Sequence, residues 1–168
     1  MKREMLKGFV SLLSVMILSL LCGQDNVNAQ GRPYNFSFPA GWQQVQEAGT
    51  VAAALSPDRT VKVTIYERSV QNITAIRLLQ ERMSQIVHTK VFSPPTDMSH
   101  LSTRFNANSV AKMHLGYLRP GDNKKCSHRA FVFVKQNRAV LIEAVAVFEA
   151  PEAVFKQADG VIESFRFR

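Results

Sequence analysis

Apolar residues recur along the chain either at every second position or at every third or fourth position. The densest apolar tract lies in residues 128–148. Two short runs rich in Val, Ile and Phe flank a polar segment at residues 135–138, a pattern typical of two strands rather than one helix. A two-residue loop at Gln136 and Asn137 therefore predicts a β-hairpin. Because side chains alternate along a strand, the hairpin places one wholly apolar set on a single face: Phe131, Phe133, Val140, Ile142 and Ala144.

The opposite face of this predicted hairpin carries Glu143 among apolar residues. One reading is a carboxylic acid in a pocket, with the raised pKa that burial causes. The other is a carboxylate that lies on a solvated face or beside a cation. We favour the second reading, because burying a lone charge is strongly unfavourable.

Further segments also have the alternation of strands. Residues 34–38 alternate aromatic and polar side chains, whereas residues 51–55 and 61–66 flank a turn at residues 56–59. The latter two segments predict a second hairpin. A weaker strand is predicted at residues 101–105.

Residues 109–119 predict a strand with two different faces. The apolar face carries Leu115, and the polar face carries Lys112 and His114. Pairing with the first strand of the residue 128–148 hairpin should place Leu115 on the wholly apolar face. A slip of one residue would put Lys112 and His114 there instead, at a cost in desolvation.

Apolar residues recur every three or four positions in two segments, which predicts amphipathic helices. The first covers residues 73–87, with Asn72 as a candidate N-cap. The second begins at Pro151 and ends near Ile162, and a last short strand is predicted at residues 164–168. Two runs of strands, each closed by a helix, predict an α+β domain in which helices cover an antiparallel sheet.

The beginning of the chain has the pattern of a secretory signal peptide. A basic start is followed by an apolar run and then by residues that suit cleavage after Ala29, as in exported precursors. We therefore predict a signal peptide at residues 1–29, a single domain at residues 30–168, and a periplasmic or secreted mature protein.

Two alternatives to cleavage after Ala29 are disfavoured. A membrane anchor would need roughly 20 apolar residues to span the bilayer, and the run at residues 8–21 is shorter. A lipoprotein would use Cys22, but Leu21 stands where a small residue is normally required.

Residues 36–42 read Phe-Ser-Phe-Pro-Ala-Gly-Trp and resemble the F-x-x-P-x-G-W opening of the PsbP-like superfamily. That superfamily includes the photosystem II protein PsbP, the bacterial envelope protein DcrB and the nuclear Ran-release factors. The predicted central helix, the hairpin at residues 128–148 and the ending at residues 164–167 are similar as well. The resemblance implies a curved antiparallel sheet between helices, a PsbP-like α/β/α sandwich, and mostly non-enzymatic docking roles. It supplies no shared catalytic residues and favours no single branch.

No familiar catalytic, phosphate-binding or metal-binding motif occurs in the chain, judged against the signatures of hydrolases, zinc sites and phosphate loops. A metal site needs several converging ligands. The four histidines are widely spaced: His88, His100, His114 and His128. We therefore predict no metal, no cofactor and no enzymatic activity.

Four cations lie close together around the loop that joins the predicted strand at residues 109–119 to the strand after His128: Arg119, Lys124, Lys125 and Arg129. Such a cluster is either a solvated surface that serves solubility or a patch that docks to an acidic protein or an anionic membrane surface. Nucleic acid is disfavoured, because the chain is predicted to be exported and no aromatic residue lies between Arg119 and Arg129 for base stacking.

Cys126 lies among these cations and is the one cysteine that would remain after cleavage. Neighbouring cations favour the thiolate. The functional reading is therefore a reactive or partner-linking thiol that is not bridged within the chain. The alternative is an incidental cysteine in a loop.

These patterns favour an exported, non-catalytic docking or accessory protein. The alternative is a small-ligand carrier with a pocket between the sheet and a helix. A carrier should contain a deep, mostly apolar cavity, whereas a docking protein should have a filled core and a charged or apolar surface patch. The sequence alone names neither the partner nor the oligomeric state.

Overall fold

A computed structural model describes residues 31–86, 93–118, 124–147 and 150–168. In chain order its strands are β1 (Tyr34–Asn35), β2 (Gln43–Val45), β3 (Ala52–Leu55), β4 (Val61–Ser69), β5 (Ser93–Asp97), β6 (Ser109–Leu118), β7 (Lys125–Lys135), β8 (Arg138–Val147) and β9 (Arg166–Phe167). Its helices are α1 (Ala75–Ile86), α2 (Ser99–Phe105) and α3 (Glu152–Ser164).

Seven of these strands form one antiparallel sheet in the order β2-β3-β4-β8-β7-β6-β5, and β1 pairs separately with β9. Helix α1 packs on β5, β6 and β7, whereas α3 packs on β4 and β8. The predicted α+β architecture, an antiparallel sheet covered by helices, is therefore confirmed.

The β7–β8 hairpin has the predicted register. Phe133 lies opposite Val140, and Phe131 lies opposite Ile142. The two-residue turn is also as predicted, with Gln136 at a φ of 51°, a conformation that residues with a side chain seldom adopt. Tertiary contacts hold this turn, because the backbone N–H of Gln136 donates to Asn108 Oδ1 at 2.7 Å.

The face of the sheet under α3 holds an aromatic core. Phe133 is fully buried, and its ring centroid lies 4.4 Å from that of Phe165, which follows α3. Phe105, at the end of α2, approaches Phe133 from another side at 4.9 Å. Trp42 closes one edge of this core, where its Nε1–H donates to Gln157 Oε1 at 2.9 Å.

The opposite face of the sheet holds a second core under α1. Leu78 and Leu79 of the helix are buried there against apolar residues of β6 and β7. The centre of the sheet is therefore buried on both faces, which explains why β7 and β8 are apolar on both sides.

The predicted register between β6 and β7 is wrong by one residue. Leu115 lies opposite His128, and Lys112 lies opposite Phe131. Leu115 is fully buried in the core under α1. The prediction assumed that the face carrying Phe131 would be buried along its whole width. Helix α3 instead covers β4 and β8, so Lys112 reaches an exposed position on β6 and the expected desolvation cost does not arise.

Two local predictions are also corrected. Residues 101–105, predicted as a weak strand, lie in α2 because Phe105 packs against Phe133. Asn72 is not the N-cap of α1, since its φ is 48° and the helix begins at Ala75. Thr74 takes that role, with its Oγ1 accepting from the Arg77 N–H at 3.4 Å.

Candidate docking surface and α3 groove

The strand ends of β6 and β7 bring two lysines of the predicted basic cluster beside an exposed apolar side chain. Lys124 and Lys125 are exposed, and Lys125 lies directly opposite Leu118. Leu118 is 53% exposed and is the one large apolar side chain so exposed within the described ranges. We call Leu118, Lys124 and Lys125 the hairpin tip, because they lie at the end of the antiparallel β6–β7 pair, far from the β7–β8 turn. Arg119, the fourth predicted member of the cluster, lies outside the described residues.

Arg129 is separate from the hairpin tip. Four residues along β7 from Lys125, it lies about 13 Å away at the usual rise of a strand. Its Nη1 donates to Asp159 Oδ2 of α3 at 2.5 Å, and its guanidinium lies 3.9 Å from the ring centroid of Phe155. Arg129 therefore joins α3 to the sheet rather than completing a basic patch.

Cys126 lies in β7 rather than in the predicted loop, and it is only 1% exposed. Its partner across the strands is Tyr117. A thiol reacts with an oxidant or with another thiol only where these can reach it. Its burial therefore disfavours a reactive or partner-linking role.

A groove of about 490 Å³ lies between α3 and the β5–β6–β7 side of the sheet. We call it the α3 groove. Its walls and floor include Lys112, His114, Arg129, Phe131, Asp159 and Ile162. The sequence predicted that Lys112 and His114 share one polar face of a strand. Because the predicted register was wrong by one residue, it did not predict that they lie beside Phe131 and Arg129.

Strand register sets the floor of the α3 groove. Lys112 lies between Thr96 of β5 and Phe131 of β7, and His114 lies opposite Arg129. Directly opposed side chains in an antiparallel pair are about 5 Å apart at Cβ. The floor therefore places a cation, an imidazole and a half-buried aromatic ring within reach of one small ligand.

The charges of the α3 groove are mostly paired. Asp159 binds Arg129, and Glu163 contacts Arg104 of α2. Within the described ranges Lys112 has no ion pair. Among the described residues, the groove therefore carries one uncompensated positive charge, that of Lys112.

His114 contacts β7 through its ring, whose Nε2 is 2.8 Å from Ser127 Oγ. Partial burial, and then the nearby charge of Arg129, lower the pKa of His114 below its ordinary value of 6.5. The imidazole is therefore mainly neutral at pH 7 and can donate or accept a hydrogen bond.

Glu143 lies in a buried cluster under α1, on the other side of the sheet. Its Oε1 accepts from Arg82 Nε at 2.7 Å and its Oε2 from Arg82 Nη2 at 2.7 Å. His128 Nε2 is 3.2 Å from Oε1, within ion-pair distance, but neither ring nitrogen of His128 forms a well-aligned hydrogen bond in the described part of the chain.

Glu143 is paired with a cation, as favoured from the sequence. Burial alone would raise the pKa of Glu143, but contacts from His128 and Arg82 outweigh it and the pKa is lowered. Glu143 is thus not a pocket acid with a raised pKa. Arg82 could not be identified from the sequence as the partner, because it lies on α1 and meets Glu143 only in the folded chain.

No small-molecule cavity of ordinary size accompanies this buried cluster. The pocket beside Arg82 and Tyr66 holds about 100 Å³, whereas pockets for drug-sized ligands hold about 300–1,000 Å³. Among the described residues, no three His, Cys, Asp or Glu side chains converge as metal ligands would. None of the described helices is long and apolar enough to cross a bilayer.

No protein-family model matches the chain. A comparison with curated protein sequences also finds no match.

Solved structures do resemble it. A cyanobacterial PsbP from Synechocystis sp. PCC 6803 matches with a TM-score of 0.57 at 13% identity, over 81% of this chain and 87% of its own. LpqN of Mycobacterium tuberculosis, which is involved in cell envelope biogenesis, gives 0.56 at 12% identity, over 81% and 86%. The Saccharomyces cerevisiae Ran-binding protein Mog1p gives 0.58 at 8% identity, over 86% and 96%.

A larger protein from Bacteroides thetaiotaomicron also matches, with a TM-score of 0.53 at 13% identity. The chain covers 45% of that protein's length. At these identities the likeness concerns the fold, and the predicted PsbP-like fold is confirmed.

Proposed function

We propose that this protein is an exported, non-catalytic accessory protein that docks through the hairpin tip to an acidic protein or an anionic membrane surface. The observation that carries this proposal is the exposure of Leu118 directly opposite Lys125 and close to Lys124. An apolar side chain gains free energy when a partner covers it, and adjacent cations favour an anionic partner.

The rest of the described fold supports docking rather than catalysis. Both faces of the sheet are filled by apolar cores, and the buried carboxylate of Glu143 is held by Arg82. The fold itself is compatible with protein partners, because Mog1p binds Ran. It is also compatible with the envelope, in whose biogenesis LpqN is involved.

The hairpin tip is tested by reversing its charge with K124E/K125E. A matched control, R77E/K156E, makes the same charge change at two exposed positions on α1 and α3. Each protein is crosslinked in cells, and captured partners are identified by mass spectrometry. Each is also mixed with phosphatidylcholine vesicles with and without phosphatidylglycerol.

We expect the tip variant to lose capture of its partner, or binding to the anionic vesicles, while the control behaves as wild type. The first result identifies a protein partner and the second a membrane surface. Added salt should weaken wild-type binding too, because exposed charges are screened within about 10 Å at 0.1 M salt. If the tip variant binds every partner and vesicle as wild type does, the tip only serves solubility.

A second candidate function is that of a small-ligand carrier. The α3 groove favours it by its volume of about 490 Å³, which lies in the ordinary range for small-molecule sites, although the groove is open and largely polar rather than the deep apolar cavity expected of a carrier. This groove and the hairpin tip share no residues, so the two functions can be tested by separate variants.

A further inference from the structure

We propose that the α3 groove binds a small monocarboxylate with an apolar body, whose carboxylate lies between Lys112 and His114. This inference rests on the second candidate function and adds the chemical class of the ligand. It is independent of docking by the hairpin tip.

The charge balance of the groove selects a single negative charge. Asp159 and Glu163 are each neutralised by an arginine, so within the part of the chain that the structure describes the uncompensated charge is that of Lys112. One ammonium matches one carboxylate, with up to three N–H donors. A dianion such as phosphate would need a second uncompensated cation, and the described lining residues offer none.

The orientation of His114 adds a second polar contact. Its Nε2 is engaged by Ser127 Oγ at 2.8 Å, so Nδ1 is the ring nitrogen left for a ligand. His114 lies two residues from Lys112 on the same face of β6. The two side chains therefore stand about 7 Å apart at the strand rise of 3.3–3.4 Å per residue, a gap that one carboxylate with its hydrogen bonds can bridge.

An apolar surface lies beside these two polar groups. Phe131 is half-buried on the floor, directly opposite Lys112. Ile162 of α3 lines the facing wall. The rest of the lining is largely polar, so these two side chains provide most of the contact for the apolar body of a ligand. A phenyl ring or a short alkyl chain would cover Phe131 while its carboxylate reaches Lys112.

The test uses 3-phenylpropanoate and its neutral amide, 3-phenylpropanamide, titrated into the exported protein and followed by amide NMR shifts. We expect the acid to bind at least tenfold more tightly than the amide, with shifts at residues 112–114 and 129–131. Lys112→Gln should weaken binding of the acid at least tenfold and leave binding of the amide unchanged. Lys156→Gln, which removes an equal charge from the outer face of α3, should change neither.

The proposal is overturned if the acid and the amide bind equally, if neither binds, or if Lys112→Gln binds the acid as wild type does. Lys112→Met, which keeps a long apolar side chain opposite Phe131, gives a second variant should the first fail to fold. K124E/K125E should bind the acid normally, and Lys112→Gln should retain the docking partner. Failure of one function is thereby distinguished from failure of the other.

Discussion

At the scale of single residues, Glu143 shows how a buried charge is tolerated in an apolar strand. It lies opposite Ala130 on one side and Thr64 on the other, and it is only 3% exposed. Both its oxygens accept from Arg82, which spares the carboxylate the cost of burial without a partner. The pair also ties α1 to the centre of the sheet.

Glu143→Gln should lower the free energy of unfolding by about 3 kcal/mol, the lower end of the range for a broken buried ion pair. The lower end applies because the Arg82 side chain is 31% exposed and so keeps some hydration. The midpoint of urea denaturation measures this loss. Glu81→Gln is the control, since Glu81 also pairs with arginines but on the exposed side of α1, and its midpoint should stay close to wild type.

The carboxylate of Glu143 should also determine part of the loss of folding stability at low pH. The pKa of Glu143 in the folded protein is below its ordinary value of 4.5, so the unfolded chain binds the proton more tightly. The stabilisation is full above about pH 4.5 and is lost as the pH falls through the lower, folded value. Glu143→Gln should therefore show a shallower loss of stability below that pH. If the free energy of unfolding of Glu143→Gln falls as steeply with decreasing pH as that of wild type, this assignment is wrong.

At the scale of elements, α3 is fastened to the sheet by both apolar and charged contacts. Its buried residues enter the aromatic core, while Arg129 reaches it from β7. That arginine binds Asp159 and covers Phe155, so its charge serves an internal contact. A cation that is close to other cations in the sequence therefore need not lie on the same basic surface in the fold.

Arg129→Ala should lower the free energy of unfolding by about 1–2 kcal/mol, since it removes a half-exposed ion pair and a cation–π contact together. Asp159→Asn should cost less than about 1 kcal/mol, because the contact with Phe155 remains. Chemical denaturation of both variants measures the difference. Both variants should still capture a docking partner. If capture is lost, Arg129 is part of the docking surface.

At the scale of the whole molecule, helices cover both faces of the described sheet except at the open α3 groove, and the edges of the sheet are protected. The edge strand β5 contains Pro94 and Pro95, which lack the N–H groups that would pair with another chain. The other edge strand, β2, has three residues. The hairpin tip and the α3 groove are two features of the described residues that remain open to a partner or ligand.

Processing is the prediction that concerns the whole chain. The sequence pattern predicts that the exported protein begins at Gln30, because a signal peptidase removes residues 1–29. Intact-mass analysis of exported protein should show this loss. Recovery of the full precursor in membranes would favour an anchor, and a lipid on Cys22 would favour a lipoprotein.

The sequence by itself determined the β7–β8 hairpin, because its two-residue loop and its alternation fix the register within one local segment. It also predicted both long helices and the α+β class from their spacing. It could not determine the register of β6 against β7, because alternation shows which residues share a face but not which helix covers that face. Only the tertiary structure placed α3 over β4 and β8, which leaves Lys112 and His114 in an open groove.

The tertiary structure alone also decided residues 101–105 and the partner of Glu143. Residues 101–105 are helical because Phe105 must reach Phe133, and such a contact between distant segments overrides a weak local preference. Arg82 and Glu143 lie far apart in the chain, and their pairing depends on how α1 crosses the sheet. Local pattern determines the elements, whereas the contacts between elements determine which polar residues meet.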